Sequence, residues 1–245
     1  MSAPSLVFGL HAARALLGRS GGRVRRMFVD GRRDDARMRD ILQLAQAANI
    51  KPERVDSKAL VARLGDVAHQ GVMLEVDPLP PWHEDELVDA LTRATNPLVL
   101  VLDGVQDPHN LGACMRTADA CGALAVMVPK DRAAGMNATV RKVAAGAAET
   151  LPLVTVVNLA RAMKLLKEAG QWLVGADMVG DKLAWQADLA GSVALVMGGE
   201  GDGLRELTRK HCDFLVRLPQ LGAVESMNVS VASGMLLYEA VRQRS

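Results

Sequence analysis

Two hydrophobic rhythms alternate along the second half of this 245-residue chain. Apolar runs come at Leu98–Leu102, Leu124–Val128, Leu153–Val157 (interrupted by Thr155), Trp172–Ala176 and Val193–Met197. Runs of this length without polar alternation are those of strands buried on both faces. Between them, apolar positions recur every three or four residues, which predicts helices over Leu111–Cys121, Asn137–Ala148 and Asn158–Ala169. Phe214–Leu218 adds a strand stopped by Pro219, and Val229–Val241 a closing helix. The succession predicts an α/β fold with a mostly parallel sheet flanked by helices.

The first third is patterned differently. Gly9–Leu17 reads as a short helix, Arg26–Val29 as a strand, and Arg37–Ala48 as an amphipathic helix carrying Met38, Ile41, Leu42 and Ala45 on one face. A helix over Ser57–Leu64, with Ser57 placed to cap it, and a strand over Gly71–Val76 complete a small α/β unit over residues 1–76. Asp77-Pro-Leu-Pro-Pro-Trp82 holds three prolines in four residues, which favours an extended spacer. With the polar helix expected over Glu84–Ala94, it makes residues 77–97 a linker and 98–245 a second domain.

Composition narrows the class. Nearly half the residues are hydrophobic, yet no apolar run is long enough to span a membrane. No secretory signal precedes the first element, and three cysteines without zinc spacing suit reduced thiols, so a cytoplasmic location and no metal are expected. The formal net charge of +1 hides an asymmetry: residues 1–39 hold nine arginines against three aspartates, and the remainder is acidic. An uneven balance of this kind points the N-terminal unit toward an anion such as nucleic acid, with Arg23, Arg25 and Arg26 as candidate contacts.

The chemistry-bearing residues gather in three stretches. Asp103-Gly-Val-Gln-Asp-Pro-His-Asn-Leu-Gly-Ala-Cys-Met-Arg116 carries Asn110 at a helix start and Arg116 inside the helix. Gly198-Gly-Glu-Gly-Asp-Gly-Leu204 follows a buried strand, where glycines permit positive φ and close backbone approach. Leu218-Pro-Gln-Leu-Gly-Ala-Val-Glu-Ser-Met-Asn228 precedes the last helix. Local readings compete with functional ones: Asn110 could cap its helix, Arg116 could pair with Asp119, and Ser226 or Asn228 could cap the last helix. His109 could be a base, and the His69-Gln-Gly71 turn a ligand contact or simply an entry to a strand.

These stretches, in this order and spacing, resemble the three motifs of the SpoU (TrmH-type) RNA ribose 2′-O-methyltransferases of the SPOUT superfamily. The resemblance implies a trefoil-knotted methyltransferase domain, a small N-terminal RNA-binding domain and a homodimer. It also implies transfer of a methyl group from S-adenosylmethionine to the 2′-hydroxyl of a guanosine in 23S ribosomal RNA. Transfer RNA ribose is the alternative substrate, and a catalytically silent ribosome-assembly protein the alternative class. Carried over residue by residue, Asn110 and Arg116 belong to motif 1, Glu200 to motif 2, and Ser226 and Asn228 to motif 3. Gly198, Leu218 and Met227 fall where main-chain groups contact the methyl donor.

Overall fold

The computed structural model describes residues 4–245 except Asp66, residues 200–202 and residues 224–225, with Arg19 and Ser20 described by backbone alone. The chain divides into two compact units, Met1–Pro80 and Pro81–Ser245.

The first unit runs β1 (Ser5–Phe8), α1 (Leu10–Ser20), β2 (Val24–Asp30), α2 (Ala36–Ala47), β3 (Pro52–Val55), α3 (Ser57–Leu64) and β4 (Val72–Val76). Its sheet has the order β1-β4-β2-β3, with β2 and β3 parallel and β4 antiparallel to both its neighbours. Alternation along β2 divides the core. Met27 and Val29 pack with Leu16 and Ile41 of the helices on one face, while Phe28 packs with Leu60 and Met73 on the other. The sequence pattern missed β1 and β3, each four residues long and too short to display a period. The cap of α3 is Asp56, whose carboxylate accepts from Ala59 N at 2.7 Å, and Ser57 is its first helical residue. The His69–Gly71 turn is structural: His69 Nδ1 accepts from Gly71 N at 3.0 Å, and Gln70 Oε1 accepts from Leu10 N at 3.0 Å, pinning the start of α1.

The second unit begins with α4 (Glu84–Arg93), whose Leu87 and Leu91 enter its core. Then follow β5 (Leu98–Asp103), α5 (Pro108–Ala120), β6 (Ala125–Pro129), α6 (Ala138–Val143), β7 (Leu153–Val156), α7 (Leu159–Glu168) and β8 (Trp172–Ala176). The chain closes with β9 (Lys182–Leu183), β10 (Val193–Gly198), α8 (Glu206–His211), β11 (Phe214–Arg217) and α9 (Val229–Arg244). The helix expected over Asn137–Ala148 is shorter, because residues 147–149 turn as a 3-10 helix after Gly146 in a left-handed conformation. Strand order is β7-β6-β5-β10-β8-β11-β9, with every pairing parallel.

Both faces of this sheet are covered, which is why its strands read as unbroken apolar runs. Leu98, Leu100 and Leu102 of β5 pack with Leu111, Met115, Leu236 and Leu237 of α5 and α9. Val99 and Val101 face the other way, toward Met163 and Leu166 of α7. The strand order reverses between β5 and β10, and in open α/β sheets a ligand crevice forms at such a point, outside the strand carboxyl ends.

One feature at that edge is unusually tight. Strand β11 lies between β8 and β9, and the segment 177–181 joining those two strands wraps over it. Asp177 N donates to Val216 O at 2.9 Å, and Arg217 Nη1 donates to Gly180 O at 2.6 Å. A Cβ on Gly180 would stand 2.6 Å from the carbonyl carbon of Val216. That neighbour is backbone and cannot swing aside. Gly180→Ala is therefore expected to cost about 1–3 kcal/mol through overpacking. Gly18→Ala, in a helix and with nothing within 4 Å of the added atom, is expected to be neutral or stabilising. Urea unfolding of the two variants against the parent chain measures the difference.

Candidate functional site

A cavity of about 540 Å³ opens at the carboxyl ends of β8, β10 and β11, within the range of small-molecule sites. Its wall is largely apolar, with Met197, Val216, Leu218, Met227 and Val229, and carries the polar side chains of Asp177, Gln220, Ser226 and Asn228. Gly198, Leu218 and Met227, expected at a donor pocket, all line it, as do Ser226 and Asn228. Asp177 is held by Arg209, whose Nε lies 2.8 Å from its carboxylate, so it is positioned as part of the wall.

A hydrogen bond joins motifs 1 and 3: Asn228 Nδ2 donates to Asn110 Oδ1 at 2.9 Å. The helix-start chemistry explains how Asn110 becomes available for it. Helix α5 is capped by Asp107, whose carboxylate accepts from His109 N at 2.9 Å, with Pro108 at its first position. Asn110 is thereby released from capping and turned inward, 7% exposed. Asn228 does both jobs. Its Oδ1 caps α9 by accepting from Ser230 N at 2.9 Å while its Nδ2 reaches Asn110. Residues 226–228 form no strand, so Ser226 and Asn228 reach the cavity from an irregular segment and the helix cap. The same helices are locked deeper in, where Cys114 Sγ lies 3.7 Å from Ser233 Oγ.

Sequence reasoning missed the residues that hold the glycine stretch in place. Asp103 ends β5 with its side chain fully buried, and it binds Arg205, immediately after Leu204. Arg205 Nε donates to Asp103 Oδ1 at 2.6 Å and its backbone N to Oδ2 at 3.2 Å. The signal was available, since an acid closing a five-residue apolar run has nowhere to go without a partner. Gly199 and Gly203 bridge in antiparallel fashion across the loop. A Cβ on Gly198 would fall 2.0 Å from the Gly203 carbonyl carbon, so glycine there is required by the loop's own backbone as much as by any ligand. Glu200 lies outside the described residues.

Arg116 is exposed and does not line the cavity. Six residues beyond Asn110, it stands about 120° around the helix axis from it. Asp119 accepts from Thr150 Oγ1 at 2.9 Å. His109 is exposed beside the cap. Glu149 is buried and paired with Arg141. In the first unit, Arg23 Nη1 donates to Asp77 O at 2.9 Å and Arg25 pairs with Asp77. Arg26 forks onto Glu53 at 2.9 and 2.8 Å while lying 4.6 Å from the Phe28 ring centroid. That hydrogen-bonded fork holds the Glu53 carboxyl below its usual range.

Among the described residues no group of three or more His, Cys, Asp or Glu is placed to hold a metal ion, and no helix is long and apolar enough to cross a membrane.

The fold and the cavity at the carboxyl ends of β8, β10 and β11 define an open α/β domain with a candidate ligand site at the strand carboxyl ends, joined to a small α/β unit. Residues 97–238 match the model of the SpoU rRNA methylase family, and residues 6–82 match that of the RNA 2′-O ribose methyltransferase substrate-binding domain. The chain belongs to the SpoU rRNA methylase family. It is 50% identical to the 23S rRNA (guanosine-2′-O-)-methyltransferase RlmB of Pseudomonas aeruginosa, covering 100% of this chain and 99% of that one. The Escherichia coli K12 enzyme of the same name is 45% identical over 98% of this chain and 99% of its own. Among solved structures, the SpoU methyltransferase AviRb from Streptomyces viridochromogenes, in complex with AdoMet, superposes with a TM-score of 0.72. It is 26% identical, over 99% of this chain and 91% of that one.

Packing in the core of the second unit sets the reactivity of Cys114 and Cys212. Burial pushes the Cys114 thiol up to about 11 and the Cys212 thiol up to about 12. Both are expected to resist iodoacetamide at pH 8 in the native chain and to react on unfolding, as mass spectrometry of the alkylated protein would read. An unfolded thiol ionises first, near pH 9, so these two groups also withdraw stability as pH rises from about 9 toward 12.

Proposed function

We propose that this chain transfers the methyl group of S-adenosylmethionine to the 2′-hydroxyl of a guanosine ribose in 23S ribosomal RNA. The observation that carries the reading is the Asn110–Asn228 hydrogen bond, which joins the first and third motifs at the rim of the cavity. Full-length identity to enzymes named for that reaction supports the substrate.

The cavity fits the donor. It has the volume for a nucleoside-sized group, an apolar lining at Leu218, Met227 and Val216, and a few polar side chains to orient it. When bound, S-adenosylmethionine supplies an activated methyl group. The residues of the chain do the rest. Leu218 and Met227 shield the adenosyl group, and Asn228, fixed by the α9 cap and by Asn110, orients the reacting end. Arg116 binds the ribose-phosphate of the acceptor, where its planar fork suits phosphate and its charge stabilises the developing oxyanion. Arginine stays protonated in proteins, so the hydroxyl proton leaves to another group or to solvent while Arg116 holds the oxygen.

Arg116 stands outside the cavity of its own chain, which supports a homodimer in which Arg116 completes the site of the partner. Val231, Met235 and Tyr238 form an exposed stripe along α9, beside α5, of the kind an isologous interface covers. A trefoil knot is the further reading of the catalytic unit, supported by the segment 177–181 wrapped over β11 before the chain returns to α9. The first unit binds the RNA substrate, with residues 1–76 as its extent, 77–97 as the connection and 98–245 as the catalytic domain. Arg23, Arg25 and Arg26 contact phosphate there, Arg25 and Arg26 by exchanging their ion pairs with Asp77 and Glu53. Exposed ion pairs are worth only about 0–1 kcal/mol, so the exchange costs little. Action on ribosomal RNA implies a cytoplasmic location.

Transfer of labelled methyl from S-adenosylmethionine to unmodified 23S rRNA tests the activity. RNA binding without transfer would leave an assembly protein instead. Arg116→Ala is expected to lower single-turnover methylation by at least about a hundredfold, the scale of losing one preorganised charged contact. Donor affinity, read by calorimetry, should stay within about twofold, because Arg116 lines no part of the donor cavity. Loss of donor binding, or near-normal turnover, would remove Arg116 from the reaction.

A further inference from the structure

We propose that a second cleft, at the carboxyl ends of β6 and β7, is an RNA subsite for a nucleotide flanking the methylated ribose. The proposal rests on the methyl-transfer reading above. The cleft has a volume of about 400 Å³ and lies between Pro129–Arg132, the turn from β7 into α7, and the first turns of α8. None of its lining residues lines the donor cavity.

Three observations point to its occupant. The first is apolar surface held open on two sides. Val157 is 78% exposed and Leu207 59% exposed, and both line the cleft. A base face against two aliphatic side chains removes that surface from water.

The second is charge. Arg132 lines the cleft and makes no side-chain hydrogen bond or ion pair among the described residues. Its backbone is held at φ 56°, a left-handed conformation that is strained for a non-glycine residue and recurs at ligand sites. Arg205 also lines the cleft, 44% exposed, with its guanidinium oriented by the buried Asp103 carboxylate. A cation fixed in advance binds phosphate with little further loss of side-chain freedom. Asp131 on the same cleft can accept a base amino group, so the lining combines phosphate donors, a base acceptor and apolar faces. That set suits an unstacked nucleotide.

The third is placement. Both cavities lie on the same carboxyl edge of one sheet, and β6 and β7 are two and three strands from β10. At about 4.8 Å per strand the separation is roughly 10–15 Å, which a nucleotide or two of extended RNA can span. Arg205 links the two sites physically, since it is anchored to β5 and directly follows the loop that closes at Gly203.

The test uses the full chain with an unmodified 23S rRNA fragment containing the target. Arg132→Ala and Leu207→Ser should each raise KM for RNA about five- to tenfold, with kcat and donor affinity within about twofold. Arg132→Ala should also reduce the salt slope of RNA binding by about one. Photo-crosslinking from 4-thiouridine placed one or two nucleotides from the target should label the peptide containing Leu207. Wild-type KM and salt slope in Arg132→Ala, or a fall in kcat with KM unchanged, overturns the subsite while methyl transfer stands. Failure of the unaltered protein to methylate the fragment strikes the activity itself. Should Leu207→Ser not fold, judged by its unfolding midpoint, Arg132→Ala and the crosslink decide the matter.

Discussion

The pairing of the buried Asp103 carboxylate with Arg205 is the constraint on which the rest of the site depends. A carboxylate at the end of an all-apolar strand is costly unless its charge is met, and here Arg205 meets it with side chain and backbone together. Because Arg205 directly follows Leu204, the pair fixes where the glycine stretch must end. The antiparallel bridge between Gly199 and Gly203 fixes where it begins to turn. The main chain of Gly203 and Leu204 passes so close to Gly198 that Gly198 has no room for a Cβ. Gly198, Gly199 and Gly203 thus present backbone rather than side chains to the cavity.

A second economy lies at the helix starts. Asp107 caps α5, which frees Asn110; Asn228 caps α9 and still has its amide group to give to Asn110. Two helix termini are thus brought together by polar groups that also border the cavity. Any shift of α9 along α5 would break this bond and reshape the cavity rim at once. Such coupling ties local packing, including the close Cys114–Ser233 contact, to the shape of the cavity rim.

Much of this was legible in the sequence, for physical reasons. Doubly covered strands must be apolar throughout, so Leu98–Leu102 and Val193–Met197 announced themselves, and the breaks after them marked the ligand edge. The resemblance singled out Gly198, Leu218, Ser226, Met227 and Asn228, and all five line one cavity. Residues whose role depends on a distant partner were not legible. Nothing local distinguishes Asp107 from Asn110 as the cap of α5, or Asp56 from Ser57 as the cap of α3, since Asp, Asn and Ser can all cap. The Asp103–Arg205 pair spans about a hundred positions, and its members look like a loop acid and a surface arginine until the sheet brings them together. The nine N-terminal arginines gave the charge of the first unit, but not that Arg25 and Arg26 already hold Asp77 and Glu53.

The most direct test of the central claim is made in cells. Ribose 2′-O-methylation of 23S rRNA is mapped at nucleotide resolution in a strain lacking this protein, in the parent, and in the deletion strain carrying the gene again. One guanosine should lose its 2′-O-methyl group in the deletion strain and regain it on complementation, with every other modified position unchanged. An unaltered 23S map, or a loss confined to transfer RNA, would contradict the assignment.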